Sequence, residues 1–219
     1  MQKPYVTVEN IRSKTEQWLK EIKPYNQHKM NLDIPKAALL VIDMQKFFLD
    51  SNSSSFTESG PAIVPNCQKL IKAFRSYKRP VIYTKHVHKS AELDGGILAW
   101  WWQDMCIDGT PESEIIEHLA PLPGEKVINK PRYSSFYNTD LDITLRCLSI
   151  TDIVFCGVMS NICVESTVRD AYFRDIRCLV PADAVGSVNE QLQLGALRGM
   201  AFGFAYITKT DEIVSSFAI

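Results

Sequence analysis

The sequence predicts a three-layer α/β/α domain, doubly wound around a mainly parallel sheet of six strands. Short apolar runs typical of strands alternate with longer segments that have the spacing of amphipathic helices. The first run, residues 37–43 (AALLVID), is apolar nearly throughout, as expected for a strand covered on both faces. A chain of 219 residues, 46% of them hydrophobic, suits a single large core. Strands separated by helices require right-handed crossovers, which place helices on both faces of a Rossmann-like sheet.

The other elements follow in alternation. Further strands are predicted at residues 80–85, 126–129, 152–157, 176–180 and 204–208, and helices at 61–77, 112–119, 140–148, 162–174 and 190–200. A helical pattern at residues 8–21 precedes the first strand. We therefore expect residues 1–35 to form an N-terminal helical arm, which could contact another subunit, and residues 36–219 to form the main domain.

Charge and composition exclude several classes of protein. The formal net charge of -1 argues against partners such as nucleic acid or an anionic membrane surface. No apolar run approaches the roughly 20 residues of a membrane span, and the first residues are too polar for a signal peptide, so we expect a cytoplasmic protein. The six cysteines form no CxxC pair and have no metal-ligand spacing, which favours reduced thiols over disulfides or a redox motif. Neither a GxGxxG nor a GxxxxGK[ST] motif follows the first strand, so a nucleotide site is not expected.

Polar residues at the ends of three predicted strands are the candidates for chemistry. Asp43 ends the first strand, Lys130 follows KVIN, and Cys163 lies shortly after IVFCG. Ligands of open α/β sheets bind at the carboxyl ends of the strands, so these side chains should converge. Asp43 could accept the thiol proton, while Lys130 and a helix start could stabilise the thiolate as a nucleophile.

Each of these residues has an ordinary structural explanation when it is considered alone. An aspartate after a strand often caps a turn, a lone cysteine usually fills a core, and a lone lysine is commonly a solvated charge. The combination of Asp43, Lys130 and Cys163 at one sheet edge favours catalysis. It also argues against the alternative of a catalytically inactive interaction scaffold.

Three segments in order carry a resemblance to a known family: VIDMQKFF, INKPRYSSFYNTDLD and FCGVMSNICVESTVRDAYFRD. They resemble the isochorismatase-like cysteine hydrolases over about residues 36–213. The resemblance implies that Asp43 is the general base, Lys130 its partner and Cys163 the nucleophile. It also implies a cis peptide at Val158–Met159 and an oxyanion hole made by the backbone N–H groups of Met159 and Cys163.

This resemblance also implies a function. The amino-acid sequences of the second and third segments look most similar to those of ureidoacrylate and N-carbamoylsarcosine amidohydrolases. We therefore expect hydrolysis of a C–N bond in a small amide or ureido compound through a thioester. The alternative is an isochorismatase-type ether or ester hydrolase, although those enzymes lack the cysteine present here. No organic cofactor is implied, and the family suggests a homodimer or homotetramer.

The segment after the second strand raises the question of metal. Nicotinamidases of this superfamily carry a zinc site there, and the matching TKHVHKS offers His86 and His88 but lacks the acidic first ligand, so no metal site is predicted. The candidate substrate-binding residues are His86, Trp102, Gln103, Tyr133 and Phe136. The run Trp100-Trp101-Trp102 could instead pack under a loop or at a subunit contact.

Overall fold

The computed structural model describes residues 4–217, in which seven parallel strands form one sheet. The strands are β1 (Ala37–Ile42), β2 (Val81–His86), β3 (Lys126–Lys130), β4 (Asp152–Val158), β5 (Arg177–Pro181), β6 (Val185–Gly186) and β7 (Tyr206–Thr208). They are ordered β3-β2-β1-β4-β5-β7, and the two-residue β6 pairs with β4. Every residue of β1 and β4 is buried, as expected for central strands of a parallel sheet. β1 is apolar throughout, and the one charged residue of β4, Asp152, pairs with Arg177.

Helices cover the two faces of this sheet. They are α1 (Ile11–Ile22), α2 (Lys46–Leu49), α3 (Gly60–Ser76), α4 (Ile97–Trp102), α5 (Leu141–Cys147), α6 (Glu165–Tyr172), α7 (Glu190–Gly203) and α8 (Thr210–Ser216). Helix α3 packs on β1 and β4 and touches α8, whereas α6 packs on β5 and touches α7. The predicted doubly wound α/β/α class is confirmed, with β6 added to the six predicted strands.

The predicted helix at residues 112–119 is wrong. Two short 3-10 turns, Pro111–Ser113 and Glu117–Leu119, occupy this segment instead. Between them, the N–H of Ile116 donates to the carbonyl of Met44, and the N–H of Lys46 donates to the carbonyl of Glu114. Backbone groups that a helix would pair internally are therefore used to attach this segment to the chain after β1.

Other helical segments also differ from the sequence prediction. The helix predicted from residue 162 begins as a π-type turn, Ser160–Val164, and continues as α6. The sequence patterns did not reveal α4 or α8, which are only six and seven residues long. Short helices carry too few repeats of the 3.6-residue period to be recognised.

The N-terminal segment packs against its own chain. Trp18 of α1 is buried and donates its indole N–H to Glu190 at 2.8 Å, while Lys14 pairs with the same carboxylate at 3.0 Å. Tyr5 donates to the carbonyl of Ser187 at 3.2 Å. The segment that we expected to be an arm thus contacts the start of α7 and the loop before it.

Gly157 allows β1 and β4 to approach closely. Its φ is +119°, and an added Cβ would lie 2.0 Å from the carbonyl oxygen of Ile42, its partner across the two strands. Only glycine fits this position. The close approach brings the end of β1 beside the end of β4, where the candidate catalytic residues lie.

Within residues 4–217, no helix has both the length and the apolar character needed to cross a bilayer.

Candidate active site

Asp43, Lys130 and Cys163 come together at the carboxyl edge of the sheet, as predicted. Asp43 follows β1, Lys130 ends β3 and Cys163 lies in the turn after β4. The Nζ atom of Lys130 is 2.7 Å from Oδ2 of Asp43, and both side chains are completely buried. The Cys163 thiol lies beside both charged groups and interacts with each. A thiol, a carboxylate and an ammonium therefore share one water-poor site.

Asp43 is held in place by its backbone and by Thr84. Its φ is +53°, a left-handed conformation that Asp tolerates better than most residues. Thr84 of β2 donates its hydroxyl to Oδ1 of Asp43 at 2.6 Å, and its carbonyl accepts the N–H of Asp43 at 3.2 Å. Because Thr84 holds one carboxylate oxygen and Lys130 the other, the orientation of Asp43 is fixed.

The surroundings favour a neutral thiol in the free protein. Burial raises the pKa of Cys163 to about 12, and the adjacent Asp43 carboxylate adds to the rise while Lys130 opposes it. Burial by itself would lower the pKa of Lys130, but Asp43 and Cys163 outweigh it and the pKa is raised. Desolvation of the sulfur is the largest of these effects, so of the two routes to a thiolate that the sequence suggests, this balance favours proton transfer to Asp43 over stabilisation by Lys130 alone.

The turn that carries Cys163 starts with a cis peptide bond between Val158 and Met159, as the resemblance implied. The carbonyl of Met159 accepts the N–H groups of Ile162 and Val164, but not that of Cys163 between them. Among the described residues, no acceptor is found for the N–H of Met159. At least one of the two predicted oxyanion donors is therefore free to bind a ligand.

A cavity of about 320 Å³ opens above Cys163. Its floor contains buried Cys163, Cys106 and two phenylalanines, and its rim includes exposed Trp102 and Asp104. The complete lining consists of Phe47, Phe48, Ser54, Ser55, Phe56, His86, Trp102, Asp104, Met105, Cys106, Tyr133, Met159, Asn161, Ile162, Cys163, Val188 and Leu192. This is the size and largely apolar character expected of a small-molecule site.

Three of the five predicted substrate-binding residues line this cavity: His86, Trp102 and Tyr133. The indole N–H of Trp102 donates to the Tyr133 hydroxyl at 2.9 Å, which joins two walls of the cavity. Gln103 does not line the cavity, because it ends α4 in a left-handed conformation and points to solvent. Phe136 does not line it either, because its ring is buried in the core beneath the guanidinium of Arg174, 4.5 Å from the ring centre.

Sequence reasoning missed three residues that build the site. Thr84 orients Asp43, as described above. The side chain of Gln45 fixes the end of β2, because its Oε1 accepts the N–H of His86 at 2.7 Å. Asn161 lines the cavity and accepts the Ser187 hydroxyl at 2.6 Å. Gln45 lies within the VIDMQ motif and Asn161 within GVMSNIC, so their motif positions were the available signals.

The donor atoms at this site do not fit a resident metal. Only Asp43, His86 and Cys163 form a group of three ligand-type side chains in the part of the chain that the structure describes, with ligand atoms within 4.8 Å of one another. The ammonium of Lys130 is already paired with the Asp43 carboxylate, and a metal cation bound there would be repelled by the Lys130 charge. His88 is outside this group, with its Nδ1 3.5 Å from Asp94, so the two histidines do not share a third ligand.

Comparison with known proteins identifies relatives of this chain. The profile of the Isochorismatase domain family matches residues 37–212. Nicotinamidase 3 of Arabidopsis thaliana is 34% identical over 191 residues, which cover 86% of this chain and 92% of that protein. A ureidoacrylate amidohydrolase of Stutzerimonas stutzeri is 33% identical over 177 residues, covering 80% of this chain and 64% of that protein.

A solved structure extends the similarity to the whole fold. The crystal structure of a cysteine hydrolase from Pseudomonas syringae pv. phaseolicola is 29% identical and superposes with a TM-score of 0.83, covering 87% of this chain and 96% of that one. Residues 37–212, which the family profile matches, contain all seven strands and the three buried side chains described above. The chain therefore belongs to the isochorismatase-like family of cysteine hydrolases.

Proposed function

We propose that this protein is a cysteine hydrolase that cleaves a non-peptide C–N bond of a small amide or ureido compound through a thioester on Cys163. The observation that carries this proposal is the buried Asp43–Lys130 pair beside a thiol at the floor of a cavity. The names of two relatives, a nicotinamidase and a ureidoacrylate amidohydrolase, support C–N bond hydrolysis. The three side chains supply a nucleophile, a base and a fixed positive charge.

The first half of the reaction forms the thioester. As the sulfur of Cys163 bonds to the substrate carbonyl carbon, Asp43 takes the thiol proton and the carbonyl electron pair moves onto oxygen. The N–H groups of Met159 and Cys163 bind this oxyanion. When the tetrahedral intermediate collapses, the C–N bond breaks and Asp43 returns the proton to the leaving nitrogen.

The second half releases the acid. Asp43 takes a proton from water, whose oxygen attacks the thioester carbon. Collapse of this second intermediate breaks the C–S bond, and the sulfur regains a proton from Asp43. Throughout the cycle the Lys130 ammonium, 2.7 Å from Asp43, favours the ionised carboxylate that starts each step.

The test is release of ammonia by the purified full-length protein from a panel of small amides and ureido compounds. We expect Cys163→Ala to abolish release and the matched Cys147→Ala to retain it, because Cys147 is exposed at the end of α5. A chelator should leave the rate unchanged. Hydrolysis of an ester or vinyl-ether probe, with no ammonia released from any amide or ureido compound, would instead support an ether or ester hydrolase, and full activity of Cys163→Ala would reject the thioester mechanism.

We also propose a cytoplasmic location, a homodimeric or homotetrameric state, and an arm of residues 1–35 attached to a hydrolase domain of residues 36–219. All six cysteines are unpaired, which suits a reducing compartment. Two large aromatic side chains, Trp100 and Trp101, are 66% and 60% exposed in the single chain, which suits a subunit contact. The boundary between them is supported by the family profile, whose match begins at residue 37, after α1.

A further inference from the structure

The charge of the cavity above Cys163 restricts what can bind there. Asp104 and His86 are its only ionisable lining residues apart from cysteines and Tyr133. Burial, and next the Lys130 charge, hold the pKa of His86 well below its usual value, so its imidazole is neutral at physiological pH. Asp104 contributes a negative charge at the rim. No lysine or arginine lines the cavity in the described part of the chain.

The two positive charges that act on His86, those of Lys130 and Arg132, are engaged elsewhere. Lys130 is buried against Asp43 and also donates to the carbonyl of Arg132 at 3.2 Å. The guanidinium of Arg132 is held by two backbone carbonyls, those of Asp94 and Pro131, at 2.8 and 2.6 Å. A carboxylate on the substrate would therefore lose its hydration without gaining a positively charged partner, and it would also face Asp104.

The polar groups that remain suit a neutral amide. The Nδ1 atom of His86 is buried and has no hydrogen-bond partner among the described residues. A His86 ring nitrogen lies within 4.8 Å of the Cys163 sulfur, close to where the reacting group must bind. Asn161 accepts from Ser187 through Oδ1, and its amide N–H groups have no acceptor within residues 4–217. Phe47, Phe48 and Trp102 supply aromatic surface around these groups.

We propose that this cavity selects uncharged substrates, with the amide carried on an aromatic or otherwise apolar group, and that it rejects substrates bearing a carboxylate. This inference rests on the proposed hydrolase function and names its substrate class. His86 and Asn161 bind the polar atoms of the amide group, and the aromatic walls bind the rest of the molecule.

Binding to the full-length Cys163→Ala variant tests the inference without requiring turnover. The probes are 4-nitrobenzamide and 4-carbamoylbenzoate, which have nearly the same shape and differ in charge. Dissociation constants are measured by ligand-observed NMR or calorimetry at fixed ionic strength. We expect the nitro compound to bind at least about tenfold more tightly, because the carboxylate would be buried unpaired.

A charge added at the rim provides the matched comparison. Leu192 is 40% exposed and lines the cavity. Leu192→Arg, made in the Cys163→Ala background, should improve binding of the carboxylate probe several-fold, whereas Leu192→Met should not. Equal or tighter binding of 4-carbamoylbenzoate before the arginine is added would overturn the inference, as would failure of both probes to bind. Selective binding of the neutral probe, combined with no ammonia release from any amide by the wild type, would reject only the proposed reaction.

Discussion

Cys163 has a deeply buried sulfur, and burial opposes the ionisation that its proposed role as nucleophile requires. Burial and the Asp43 carboxylate both favour the neutral thiol, and Lys130 offsets only part of their effect. The activation that we propose is therefore proton transfer to Asp43 as the substrate carbonyl arrives. A substrate that displaces water from the cavity brings the electrophile to the sulfur at the same time.

The reactivity of the free thiol follows from this balance. Because the pKa of Cys163 is raised to about 12, its thiolate fraction at neutral pH is small and grows about tenfold with each pH unit. We expect iodoacetamide to label exposed Cys147 before Cys163 at pH 7, and Cys163 labelling to accelerate up to the highest pH at which the fold survives. Peptide mass spectrometry measures both rates. Rapid labelling of Cys163 at pH 6 would show instead that the Lys130 charge outweighs burial and lowers the pKa of Cys163.

Removing the charge of Asp43 tests its role as base. Asp43→Asn cannot accept the thiol proton, and it leaves the ammonium of Lys130 buried without its partner. We expect kcat to fall by about 10³-fold or more, an effect typical of the loss of a general base. The control is Asp211→Asn, because the exposed carboxylate of Asp211 pairs only with Lys69 in the described structure. Near-normal kcat in folded Asp43→Asn protein would exclude Asp43 as the base.

At the scale of the elements, the active site depends on how closely β1 and β4 approach. These two strands are the most central in the sheet order, and each supplies one end of the site. The turn after β4 then holds Cys163 near Asp43, while β2 contributes Thr84 and His86 and β3 contributes Lys130. Four neighbouring strand ends thus carry the residues of the proposed chemistry, which loops alone would hold less rigidly.

A pair of glycine substitutions measures the importance of this approach. In Gly157→Ala the new Cβ would lie 2.0 Å from a carbonyl oxygen of β1, so we expect a loss of several kcal/mol of unfolding free energy and loss of activity. Gly195→Ala is the matched control, because beyond its chain neighbours and the backbone of helix α7 no atom lies within 4 Å of the added Cβ. It should stabilise the protein by about 0.5–1 kcal/mol. Urea denaturation measures the unfolding free energies of both variants. Equal unfolding free energies for Gly157→Ala and the wild type would show that β1 and β4 can move apart without cost.

At the scale of the whole molecule, one face of the chain carries exposed aromatic residues next to the cavity. Trp102 lines the cavity, while Trp100 and Trp101 in the same helix point outward with their rings 5.7 Å apart. Their exposure contradicts packing under a loop. A subunit contact would bury them beside the cavity rim, and the oligomeric state would then influence the substrate site.

Substitution of these tryptophans tests the proposed assembly. If they form the contact, Trp100→Ser/Trp101→Ser should convert the homodimer or homotetramer into a smaller species, as measured by light scattering. The control is Phe173→Ser, which removes a similarly exposed aromatic side chain, 69% exposed, from the end of α6. An unchanged mass in the tryptophan variant would place the contact elsewhere. A monomeric wild type would reject the proposed assembly altogether.

The sequence by itself determined the fold class, the family and the meeting of the three candidate catalytic residues at one sheet edge. These follow from local information, because unbroken apolar runs mark central parallel strands and polar residues directly after them must lie at one sheet edge. Tertiary structure alone decided the burial that raises the pKa of Cys163, the contacts of Thr84 and Gln45, and the exclusion of Gln103 and Phe136 from the cavity. The desolvation of the Cys163 thiol depends on every group around it. The ring of Phe136, which follows β3 in the chain, could face either the cavity or the core. Those outcomes depend on contacts between residues far apart in the chain, which no periodicity encodes.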